Sequence, residues 1–211
     1  MLKIALIYVH LLSTCVAIGM IALTDLRLLG RVFGTRVVIP TPSRLETRAI
    51  MLALLVLYAT GAGLVALGLA ERADYLTNQK LQAKLVLVAL LTANAFVLHQ
   101  VIFPLLERRA PVAHWTAGER WQVAASVGLS NSLWLYCAFL GIARPWNYTM
   151  PLGQVLAIAP VLWLMVAASV RFALAVAARD EPQARGDWID SVKSSLGGYR
   201  HDFEHSSVLG T

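Results

Sequence analysis

Two histidines, His10 and His99, stand inside long apolar stretches of the chain. An ionisable side chain is costly in hydrocarbon, so each is a candidate for function. At about 100° per residue, Ser13, Thr14 and Thr24 share the helical face of His10, a polar stripe that must turn toward other helices. On a later stretch Thr92 lies almost directly beneath His99, with Lys84 further round the same side. Imidazole in such a place suits two metal chemistries. It can ligate the iron of a b-type haem, or it can join sulfur donors around copper. The alternative for each histidine is a hydrogen bond to a neighbouring helix that specifies packing. Asn94, Asn131 and Gln154 read the same way, as interhelical hydrogen bonds first and ligand contacts second.

Depth separates the two imidazoles. His10 lies roughly 10 Å from one end of its stretch and His99 roughly 27 Å from the same face, at 1.5 Å per residue. A bis-His haem is therefore disfavoured, whereas Met20 sits at the depth of His99 and offers a His/Met pair. For copper, His10, His99, Cys15, Cys137, Met20, Met51, Met150 and Met165 are available. None of them forms an M-x-x-x-M or C-x-x-C signature, and methionine and cysteine in apolar helices are usually packing residues. Near the C-terminus, His201-Asp202-Phe203-Glu204-His205 matches the H-x-x-E-H pattern of inverted zinc peptidases. A short tail cannot supply the cleft and third ligand such enzymes need. The chain shows no nucleophile–base pair, phosphate loop, Rossmann fingerprint or flavin signature, so a non-enzymatic role is expected.

The elements that carry these residues are apolar runs over 2–23, 49–70, 81–106, 121–143 and 150–177. Hydrophobic residues make up 58% of the 211, and only 14% are charged, against roughly 25% charged in soluble domains. Each run supplies the roughly 20 residues a helix needs to cross about 30 Å of hydrocarbon. Strands with unpaired edges cannot span lipid, so an all-α bundle of five transmembrane helices is expected over 1–177. The first run is longer than a signal-peptide core and an arginine-rich segment follows it, so it reads as a retained helix.

Thirteen of the 18 Lys and Arg residues fall on the side holding the first and third connections and the tail, and five fall on the other. The positive-inside rule then places the N-terminus outside and the C-terminus in the cytoplasm of a bacterial inner membrane. The net charge of +6 resides in these connections, with no basic helical stripe or aromatic platform, so nucleic acid is not an expected partner. Ser43 to Glu46 and Thr116 to Glu119 read as capping boxes opening the second and fourth helices. Trp121, Trp134, Trp146 and Tyr148 are expected at the membrane interfaces. Ala59 and Gly63, with Gly61 and Gly68, permit close helix contact within the bundle, or a homo-oligomer. Residues 178–211 form a polar cytoplasmic tail in which Trp188, Ile189, Val192 and Leu196 recur at the spacing of a short surface helix.

The stretch from His10 through Gly19 to Thr24-Asp25-Leu26-Arg27-Leu28-Leu29-Gly30 resembles the first helix of small uncharacterised bacterial inner-membrane proteins. Lys80, Lys84 and the run through Asn94 and His99 resemble, more distantly, a helix of the CopD copper-resistance superfamily. The resemblance covers the first half of the chain and implies a helical bundle that handles copper. Three functions are thus expected. The first is a non-enzymatic membrane protein handling a metal ion or small solute within the bundle, using His10, Ser13 and Thr14, or His99 and Thr92. The second is a haem-binding electron-transfer subunit, and the third an accessory subunit of a larger membrane complex.

Overall fold

A computed structural model describes residues 1–32 and 37–179. They are helical, without a strand among them. The five long helices are α1 (Leu2–Val32), α2 (Arg44–Glu71), α3 (Gln79–Glu107), α4 (Ala117–Ile142) and α5 (Leu152–Arg179). All five are long and apolar enough to cross a membrane. The tail residues Trp188 to Leu196 and His201 to His205 lie outside the described residues, as does Arg36.

The apolar runs mark the hydrocarbon and not the helix ends. α1 continues nine residues beyond its run, to Val32, because no proline intervenes before Pro40 and the backbone ladder needs no lipid. Its Arg27 pairs with Glu46 in the first turn of α2, tying the two helices where they leave the apolar layer. α2 starts at Arg44, five residues before its run, because its cap lies there. Ser43 Oγ accepts the Glu46 N–H at 3.2 Å, and the Glu46 carboxylate accepts the Ser43 N–H at 2.8 Å. The same box forms at Thr116 and Glu119, with distances of 3.1 and 2.8 Å, and opens α4. Each box satisfies backbone donors that a helix start leaves unpaired.

α3 is not uniform. It is α-helical over Gln79–Val97, makes a π turn over Leu98–Ile102, and is α-helical again over Phe103–Glu107. Pro104 explains the change. It has no N–H to give the Gln100 carbonyl, and its ring crowds that group. The widened turn relieves the clash, with the Phe103 N–H donating to the Leu98 carbonyl five residues back.

Packing is centred on α4, the least apolar span and the most buried of the five. α4 lies against α5 on one side and α3 on another, while α1 packs chiefly on α2. Ala124, Gly128 and Ser132 follow one another at four-residue spacing and are all buried. At Gly128 the backbones nearly touch: a Cβ there would lie 2.8 Å from the Ala167 Cα. On α2, a Cβ at Gly63 would meet Leu6 of α1 at 3.2 Å, so that glycine serves packing inside the bundle. Trp134 is 7% exposed and belongs to the core around Leu87, Leu133 and Val155; the expectation of an interfacial position fails for it. A second core joins Val37, Ile39, Ile102, Val112 and Leu174 at one end of the bundle. There the Val112 N–H donates to the Val37 carbonyl at 3.0 Å, stitching the first connection to the third. The arginine-bearing connections therefore meet at a single end.

Candidate functional site

Asp25 reaches from α1 to the middle of α4. The Asn131 Nδ2 donates to its Oδ2 at 2.7 Å. Asn131 stands fourteen residues after Ala117 and eleven before Ile142, so the ends of its helix lie roughly 21 and 16 Å away at 1.5 Å per residue. The carboxyl group is thus held against the middle of α4, two residues before the Arg27 that pairs with Glu46, and among largely apolar side chains an ionisable group is costly and calls for a partner. Asn131 supplies one. No other hydrogen bond to the carboxyl exists among the described residues, which leaves Oδ1 free to meet a ligand.

The pair forms part of the wall of a cavity of about 190 Å³. Most of the wall is apolar: Ile21 of α1, Ile50 and Leu54 of α2, Leu91 and Leu98 of α3, Trp134 of α4 and Leu174 of α5. Thr24, Thr47, Ser130 and His99 add polar atoms around Asp25 and Asn131. Such a volume exceeds the roughly 150 Å³ that accommodates benzene. Met51 and His99 line the cavity and are both exposed, so it reaches the surface of the bundle between α2 and α3. Farther along, α2 and α3 come together where the Tyr58 and Thr92 hydroxyls hydrogen-bond.

The other expected site residues are spread along the bundle. His10 Nδ1 lies 2.8 Å from Thr60 Oγ1, and Thr60 in turn donates to the Val56 carbonyl at 2.7 Å. Thr14 donates to the His10 carbonyl at 2.8 Å, and Ser13 beside it is half-buried. Lys84 is half-buried near this cluster, with its Nζ against Gly141, at 3.7 Å from where a Cβ would stand. Asn94 and Ser126 form a closed buried pair: Asn94 Nδ2 donates to the Ser126 carbonyl and Ser126 Oγ to Asn94 Oδ1, each at 2.9 Å. Both are spent on joining α3 to α4.

His99 and Thr92 do not act together. Thr92 turns to Tyr58 and to the Val88 carbonyl, whereas His99 is exposed, edge-on to Phe103 with centroids 4.8 Å apart.

The metal donors expected from the sequence do not assemble. His10 sits opposite Thr60 while His99 shares the cavity wall with Thr47, thirteen residues away along α2, or roughly 20 Å. Met20, half-buried on α1, is not part of the wall that His99 borders; its carbonyl accepts the Thr24 hydroxyl at 3.0 Å. Cys137 is buried and Cys15 faces outward. No three His, Cys, Asp or Glu side chains converge among the described residues. These residues therefore do not fit a copper centre or an axially ligated haem.

Asp25 is the candidate site residue that reading the sequence missed. It lies just beyond the first apolar run, 2–23, yet inside an uninterrupted helix. An acidic residue followed by Leu26 and preceded by the Thr24 stripe was the available signal. At the opposite end of the bundle, the connection after α2 holds a surface ion pair. Arg72 Nε and Nη2 donate to the Asp74 carboxylate at 3.1 and 2.9 Å, and the guanidinium lies 4.7 Å from the Tyr148 ring centroid. This fork holds the Asp74 carboxyl below, and the Arg72 guanidinium above, its ordinary pKa. It fixes the loop and builds no cavity.

No protein-family model, curated protein or solved structure matches the chain. The resemblance of its first half to the CopD superfamily therefore rests on the quoted residues alone.

Proposed function

We propose that the protein is a non-enzymatic binding protein for a small amphipathic solute, which it takes up inside the bundle from the surrounding lipid. One observation carries this reading: a carboxyl group, held by Asn131 of α4, faces an apolar cavity that opens between α2 and α3. The apolar wall takes the body of the solute. Asp25 Oδ1 takes its head; the ionised carboxylate accepts hydrogen bonds, so the head is one that donates them or carries positive charge. A cationic head also offsets the cost of a carboxylate against an apolar wall. Such a solute partitions into lipid and enters from the side, as the position of Met51 and His99 allows. The arginine-rich end faces the cytoplasm of a bacterial inner membrane by the positive-inside rule, with the N-terminus outside.

Trp134, on the cavity wall, is the reporter. Cyclohexylmethylamine and cyclohexanecarboxylate share one ring and differ in the sign of the head. Titrated into the purified protein, the amine is expected to shift the Trp134 emission saturably and the carboxylate to leave it unchanged. Asp25→Asn should weaken amine binding by about ten-fold or more, the scale of one charge-assisted hydrogen bond, and Trp134→Phe should remove the signal. Equal binding of the two compounds, or amine binding untouched in Asp25→Asn, overturns the proposal.

A further inference from the structure

Beside the cavity, at the end where the connections meet, lies a second and larger recess of about 700 Å³. Arg44 and Arg48 of α2 and Arg109, just past α3, line it together with Thr41, Thr47 and His99. The one carboxylate in its wall is Glu107, so three guanidinium groups face a single negative charge. Elsewhere Lys3, Arg27, Arg72 and Arg108 are each paired with an acidic residue. Arg44, Arg48 and Arg109 form no ion pair among the described residues. Arg109 has a left-handed backbone (φ 50°), which is uncommon outside glycine and turns the chain sharply as α3 ends, beside the recess.

The position of the recess narrows the occupant. It lies where α2 begins and α3 ends, at the edge of the apolar layer. Below it on the same two helices Leu52, Leu55, Phe96 and Val101 are exposed. An anion held by the arginines thus sits directly above an apolar helix surface. Planar guanidinium groups match phosphate oxygens two at a time, and basic pockets between spanning helices are suited to anionic headgroups.

We infer that this recess is a binding site for an anionic phospholipid, with the headgroup phosphate held by Arg44, Arg48 and Arg109 and the acyl chains lying on α2 and α3. A free phosphate would satisfy the arginines and gain nothing from the apolar surface beneath. The inference goes beyond the solute reading and does not depend on Asp25.

Native mass spectrometry of the detergent-purified protein tests it, with phosphatidylglycerol, phosphatidylcholine and inorganic phosphate as separate probes. Phosphatidylglycerol should be retained over phosphatidylcholine by about ten-fold or more, because each basic residue near the headgroup contributes appreciably. The preference should vanish in Arg44→Gln/Arg48→Gln/Arg109→Gln and fall in Arg48→Gln alone, which alters one exposed side chain and spares the fold. Arg72→Gln, at the other end of the bundle, should leave it unchanged. Millimolar inorganic phosphate should not displace the lipid. Equal retention of the two lipids, a preference that survives in both arginine variants, or full displacement by inorganic phosphate would each overturn the inference. Loss of solute binding in Asp25→Asn is read separately, so either reading can fail without the other.

Discussion

Gly128 offers the sharpest test of the helix packing that positions the cavity. A methyl group added there would stand 2.8 Å from both the Cα and the N of Ala167, which is 0.6 Å short of ordinary contact at 3.4 Å. Both opposing atoms belong to the backbone, so no side chain can swing aside; α4 and α5 must separate. Overpacking of this kind costs about 1–3 kcal/mol. Alanine is a better helix former than glycine by roughly 0.5–1 kcal/mol, which offsets part of that cost. Gly128→Ala is therefore expected to destabilise the fold by about 1–2 kcal/mol. Gly19 is the internal control, since it is also helical and a Cβ there meets nothing within 4 Å. Gly19→Ala should gain up to about 1 kcal/mol from helix propensity alone. Equilibrium unfolding in mixed detergent micelles, followed by circular dichroism, measures both variants. If Gly128→Ala proves as stable as the parent while Gly19→Ala behaves as expected, α4 and α5 do not approach as described and the part of the cavity wall they supply is misplaced.

Two further outcomes follow from the ends of the helices. Thr116→Ala removes the acceptor for the Glu119 N–H and should cost about 0.5–2 kcal/mol in the same unfolding assay, with Thr116→Ser restoring most of it. The Arg72–Asp74 fork depresses the folded-state pKa of Asp74 below its ordinary value of 3.8. Its contribution is thus complete above that pH and disappears as pH falls through the depressed value. Both groups are exposed, so the effect on overall stability should be small. Nuclear magnetic resonance titration of the Asp74 carboxyl, with and without Arg72→Gln, should show the midpoint rising toward 3.8 in the variant.

What the sequence made legible is what one residue's own chemistry can announce. Five spans could be read because long apolar runs have few alternatives to a helix in lipid. The two capping boxes could be read because Ser43 and Thr116 each stand three residues before a glutamate. Asn131 stood out as an amide in an apolar run, but nothing in its neighbours named Asp25, 106 residues away, as its partner. Asp25 itself was hidden by equating the end of hydrophobicity with the end of the helix. The pairing of His99 with Thr92 failed because the Thr92 hydroxyl is taken by Tyr58 and the Val88 carbonyl, partners that spacing along one helix does not reveal. Trp134 was misplaced by the rule that tryptophan favours interfaces; within α4, the central helix, burial against Val155 and Leu91 decides. The spacing of Ala124, Gly128 and Ser132 has the form of a close-packing stripe, but with one glycine it is a weaker signal than Gly61, Gly63 and Gly68 of α2.

The account depends most on Asp25 being the group that receives the solute. Solid-state nuclear magnetic resonance of the protein in bilayers, with the aspartate carboxyl carbons labelled and Asp25→Asn used for assignment, measures this directly. Saturating cyclohexylmethylamine should move the Asp25 carboxyl resonance and leave that of Asp74 in place. An Asp25 resonance that stays fixed while the amine demonstrably binds would contradict the account.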